Sequence, residues 1–118
     1  MLLSLEEIKK QCKVDEDDTS QDDELNAYGL AASARLETEL QRHVYATRAE
    51  VPESVLDAIA LDEQRHGGED LKLAIKLLVA HYYRNREQTV MGTIVSTLPE
   101  SFKELTGTYR LVPYGGNL

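Results

Sequence analysis

A single cysteine, Cys12, stands in the 118-residue chain, so neither an intrachain disulfide nor a cysteine-built zinc or redox site can form. Long apolar runs are missing too. Stretches such as Leu77-Leu78-Val79-Ala80 fall far short of the ~20 residues that span a bilayer, and the opening MLLSLEEIKK has no basic leader ahead of an apolar block. The expectation is a soluble, non-secreted protein of a reducing cytoplasm, with no membrane contact. A cluster of Lys and Arg is the third absence. The formal charge is −8, and it is uneven: residues 1–60 hold fourteen Asp/Glu against six Lys/Arg, and residues 61–118 hold seven of each. Such a chain repels the phosphate backbone that supplies most affinity for nucleic acid, so tight DNA or RNA binding is not expected. No nucleophile motif and no glycine-rich phosphate loop is found.

What is present is the apolar content of one domain, 42% of the residues, enough for a single core at this length. Ser4-Leu5-Glu6-Glu7 reads as a capping box opening a short helix from Leu5 to about Cys12. An acidic stretch follows, with seven acids in the ten positions from Asp15 to Glu24, and reads as a solvated loop that leads into the next helix with Asp22 and Asp23 at its positive end. Leu25, Tyr28, Ala32, Leu36 and Leu40 mark one face of a long helix over about 22–42. Small residues at Ala27, Gly29, Ala31, Ala32, Ser33 and Ala34 suit close approach of another helix.

Residues 43–51 read as a connection. Pro52 is placed to start a helix to about Arg65, stopped by Gly67-Gly68. The segment Glu69 to about Gln88 is apolar nearly all round, with a narrow polar strip at Lys72 and Lys76, which belongs at the centre of a fold or at a subunit contact. Thr89 to Thr97 is β-prone, Leu98-Pro99 opens a last short helix to about Leu105, and TYRLVPYGGNL is an aperiodic apolar tail suited to docking. The fold class is all-α: a single-domain small bundle of about four to five helices, with an irregular β-prone loop and an extended C-terminal arm over 108–118.

Three constellations invite a chemical reading. The acidic stretch begins like a calcium loop at Asp15 and Asp17, but Ser20 and Asn26 stand where the loop needs Gly and a bidentate Glu. Glu63 and His66 have the Glu-x-x-His spacing of a di-metal bundle, which needs a second such motif that neither His43 nor His81 supplies. His81, beside Tyr82, Tyr83 and Glu87, lacks a nucleophile or matched acid and reads as a packed helix residue. No metal, cofactor or catalytic residue is expected.

The helix AIKLLVAHYYRNRE, the module LPESFKELTGTYR, the opening LSLEEIKKQCKVDEDD and the helix around LNAYGLAASARLETEL occur in the order seen in the head-to-tail connector (adaptor) proteins of long-tailed bacteriophages and prophages, which the chain resembles over nearly its whole length. It departs from that pattern between Arg42 and Gly68, where VPESVLDAIALDEQRHGG reads as an added helix. The resemblance implies a structural, non-enzymatic subunit of the virion neck, assembled in the host cytoplasm. It also implies a homo-oligomeric ring of about a dozen copies beneath the portal protein, joined to a tail-completion protein, with DNA passing through unbound. In that reading Tyr109, Arg110, Leu111, Val112 and Tyr114 dock on the portal. Ala27, Ala31, Ala34, Tyr82, Tyr83, Arg86 and Glu87 form the subunit interface, and Asp15, Asp17, Asp18, Asp22 and Asp23 face the channel. Two other readings are a small helical metal-binding bundle or enzyme using Glu63, His66 and His81, and a cytoplasmic helical protein-binding regulator.

Overall fold

The structure, a computed structural model, describes residues 2–86 and 100–111. The sequence expectations at Thr89–Thr97, at Leu98-Pro99, and at Glu87, Val112 and Tyr114 lie outside the described residues.

Four α-helices are described: α1 Leu5–Cys12, α2 Asp22–Leu40, α3 Glu69–Arg84 and α4 Glu100–Thr106. Helix α3 is the centre, and α1, α2 and α4 all pack on it. The all-α bundle read from the sequence is the fold.

Helix α1 starts on the expected capping box. The Glu7 amide donates to the Ser4 hydroxyl at 3.2 Å, and the Ser4 amide to Glu7 Oε1 at 3.1 Å. It ends with Lys13 in the left-handed region at φ 59°, where the Val14 amide reaches back to the Lys9 carbonyl at 2.9 Å. That is the reverse turn that closes a helix C-terminus, usually on Gly. Helix α2 closes the same way on Gln41, at φ 60°. Its first turn holds Asp22, Asp23 and Glu24, which favour the positive N-terminal pole.

The expected helix over Pro52–Arg65 does not form. A turn closes from the Val55 amide to the Pro52 carbonyl at 3.0 Å, Asp57 lies at φ 58°, and Ile59–Ala60 (β2) pairs in parallel with Val44–Tyr45 (β1). Short 3-10 turns follow at Leu61–Glu63 and Arg65–Gly68. The reason is burial: Ala58, Ile59, Ala60 and Leu61 are all buried. Four consecutive residues of a helix sweep about 300° and cannot all face one core, whereas an extended crossing through the interior can bury each of them. Gly67-Gly68 therefore stops no helix; Gly68, at φ 73°, precedes the first residue of α3. A Cβ there would come within 2.6 Å of Leu61 Cδ2.

The core joins Leu25, Leu36 and Leu40 of α2 with Leu71, Ile75, Leu78 and Val79 of α3, Ile8 of α1, Ile59 of β2 and Phe102 of α4.

Candidate assembly surfaces

The acidic loop is built around a lysine. Lys9, only 5 % exposed, donates its Nζ to the carbonyls of Glu16 at 3.1 Å and Asp18 at 2.8 Å and lies 2.9 Å from Asp22 Oδ1. Asp22 Oδ1 is held to this ammonium by charge, without an aligned hydrogen bond. Side chains shape the rest of the loop: Asp15 accepts from the Asp17 amide, and Asp18 from both the amide and the hydroxyl of Ser20. The Ser20 contacts hold the Asp18 carboxyl below its ordinary range. Among the proposed channel acids, Asp15, Asp17 and Asp23 are exposed, and Asp18 and Asp22 are half-buried. The loop's own cation is Lys9.

At the far end of α3, the aromatic and charged residues tie α3 to the start of α2. Tyr82 packs on Tyr28 with ring centroids 6.2 Å apart, and Tyr28 donates to Glu24 at 2.6 Å. Arg86 reaches the same Glu24 at 2.9 Å and lies over the Tyr83 ring, whose hydroxyl donates to Gln21 at 2.9 Å. Burial, then the hydrogen bond to Glu24, pushes the Tyr28 phenol up to about 12. Tyr82, Tyr83 and Arg86 thus have partners within their own chain. His81 sits beside them, its Nε2 buried without a hydrogen bond.

The start of the C-terminal tail is latched onto the bundle. Tyr109 donates to Asp70 at the start of α3 (2.8 Å), Arg110 binds the Glu39 carbonyl and lies 3.5 Å from its carboxylate, and the Leu111 amide donates to the Leu40 carbonyl at 3.0 Å. Arg42 bridges this latch to the β-connection, donating to the Asp57 carbonyl at 2.6 Å and to the Tyr109 carbonyl at 3.2 Å. Burial and the bond to Asp70 push the Tyr109 phenol up to about 12. Leu111 is exposed.

Among the described residues, two helix faces are left uncovered. On α2, Ala27, Leu30, Ala31 and Ala34 point away from the core, all exposed, with Leu30 at 57 %. On α3, Leu73 is 44 % exposed, and Leu77 and Ala80 are half-buried along the same line. The small-residue pattern had marked the first face; Leu30, Leu73 and Leu77 were missed because an outward leucine and a core leucine look alike in a helix apolar nearly all round.

The metal reading gains no support. Glu63 forms a two-pronged ion pair with Arg48 at 2.7 and 2.8 Å, His66 is exposed at φ 55° rather than on a helix, and among the described residues no group of three or more His, Cys, Asp or Glu is placed to hold a metal. Among them, too, no helix is long and apolar enough to cross a membrane.

A family model described as "Phage gp6-like head-tail connector protein" matches residues 3–110. No curated protein and no solved structure gives a significant match.

Proposed function

Because the chain belongs to the phage gp6-like head-tail connector family, structural proteins of the phage neck that join head to tail, we propose that it acts as a ring subunit, about a dozen copies assembling beneath the portal. The observation that carries this reading is the family match over residues 3–110, which spans the entire helical bundle. The bare apolar faces of α2 and α3 support it, since exposed leucines and alanines on opposite sides of a small domain suit lateral packing. So does the charge: an acidic wall lets DNA pass without adhering, and the exposed Asp15 and Asp17 can face a channel in the assembled ring.

In this reading the portal is engaged by the tail from Tyr109 to Tyr114. Tyr109 and Arg110 act as its anchor, fixed to α3 and α2, while Leu111 is presented outward and leads on to Val112 and Tyr114. Truncation after Leu111 leaves the latch in place and is expected to abolish portal binding with unchanged melting. Retained binding would remove the arm from the reading. The assembly itself is tested by light scattering and negative-stain imaging of the purified protein, alone and with portal. Closed rings are the expected result; a dimer that portal does not convert would exclude the adaptor role.

A further inference from the structure

The two bare faces match each other. Outward positions along α2 fall at Asp23, Ala27, Leu30, Ala34 and Thr38, and along α3, read backwards, at Arg84, Ala80, Leu77, Leu73 and Glu69. Both series have the same spacing of four, three, four and four residues. This is the alternation by which one helix keeps a single stripe against another, and each stripe runs about 22 Å at the usual rise per residue.

Laid antiparallel, the stripes bring Leu30 onto Leu77, Ala34 beneath Leu73, and Asp23 to Arg84. Among the described residues neither Asp23 nor Arg84 is in an ion pair within the chain, so each is available for the other. The antiparallel arrangement also sets the positive end of one helix beside the negative end of its neighbour.

We propose that these faces form the contact between successive copies of the chain, the α3 stripe of one seated on the α2 stripe of the next; the inference rests on the adaptor reading and specifies its subunit interface. Self-pairing fits less well. Two α2 stripes set Asp23 against Thr38 and leave Leu73 bare, and two α3 stripes pair Glu69 with Arg84 but leave Leu30 in water. Within one chain α2 and α3 pack through their core faces, so the stripes look away from each other. Each copy therefore offers one face to each of two neighbours. A contact between different faces propagates from copy to copy and closes when the rotation permits.

The test uses the full chain with Cys12→Ala, carrying either Ala27→Cys or Ala80→Cys, and a short bifunctional maleimide. Mixing the two variants is expected to give cross-linked dimers at least about tenfold above either variant alone, and a chain carrying both cysteines should give a ladder of multimers. Asp23→Arg should lower the yield of the mixture by about tenfold through like-charge opposition at Arg84, and Arg84→Asp on the partner chain should restore it. Circular dichroism establishes that each variant is folded. Absence of the mixed cross-link, or an equal yield from Ala27→Cys alone, would overturn the proposed contact. Wild-type rings without the mixed cross-link would overturn these faces and leave the adaptor reading standing. The mixed cross-link together with a wild-type chain that never forms rings, even with portal, would uphold the contact and overturn the ring.

Discussion

The acidic loop between α1 and α2 and the connection between α2 and α3 both lack an α-helix, and they are held in opposite ways. In the first, a buried lysine gathers two carbonyls and a carboxylate, and aspartate side chains cap their own loop amides. Polar groups of one short stretch, from Lys9 to Asp22, hold it. In the second, the organising force is burial of Ala58 to Leu61, completed by pairing with Val44–Tyr45 and by residues such as Asp57 and Gly68 in left-handed conformations. A loop can thus be fixed from within by local electrostatics or from without by the core it crosses. The two are expected to fail differently.

The largest expected effect is on the first loop. Lys9→Met keeps the stem's volume but leaves the carbonyls of Glu16 and Asp18 and the Asp22 carboxylate without their cation, at a cost of about 3 kcal/mol. Urea unfolding measures it, with hydrogen exchange accelerated first in residues 13–21. An unchanged midpoint would mean that water replaces the ammonium at no cost and that the loop does not depend on Lys9.

Gly68→Ala probes the second segment. It combines a left-handed backbone with a Cβ only 2.6 Å from Leu61 Cδ2, and a loss of about 2 kcal/mol is expected. Gly67→Ala, at a similar φ but with open space around it, should lose only the backbone share of that amount. Equal losses would remove the steric part of the argument.

The ends of the pH scale sharpen the contrast. The Asp18 carboxyl is held below its ordinary value, so its contribution is complete above the ordinary carboxylate range and disappears as pH falls through the lowered value. The Tyr109 phenol is raised to about 12, so its contribution is complete below the ordinary tyrosine value of about 10 and disappears as pH rises toward 12. Acid should loosen the α1–α2 loop; alkali should release the tail latch joined through Arg42 to Asp57. Tyr109→Phe is expected to cost about 1 kcal/mol at neutral pH and to reduce the alkaline loss, read by thermal melts across pH 9–12. An alkaline profile unaltered by Tyr109→Phe would place that sensitivity elsewhere, Tyr28 being the next group to test.

The smallest effect is a gain. Lys13 closes α1 at φ 59°, where glycine is less strained, so Lys13→Gly is expected to stabilise by about 0.5–1 kcal/mol, detected as a rise in melting temperature.

Much of this molecule was legible in single residues and their spacing. The capping box at Ser4 and Glu7, the face of α2 through Leu25 and Leu40, and the central role of the helix after Glu69 follow from local hydrogen-bonding chemistry and helical periodicity. Those properties depend on neighbours three or four residues away. The family could also be recognised, because the order of the helical segments is itself carried by the sequence.

Other features depended on partners far along the chain. The run Ala58-Ile59-Ala60-Leu61 suits a helix or a buried strand equally, and only Val44–Tyr45 lying beside it selects the strand. Nothing in its immediate neighbours marked Lys9, whose partners Glu16, Asp18 and Asp22 are brought to it by the folded loop, and only the fold brings Asp70 and Glu39 within reach of Tyr109 and Arg110. The outward leucines of α2 and α3 were hidden for the same reason: a side chain's hydrophobicity is a property of the residue, but whether anything covers it is a property of the packed whole.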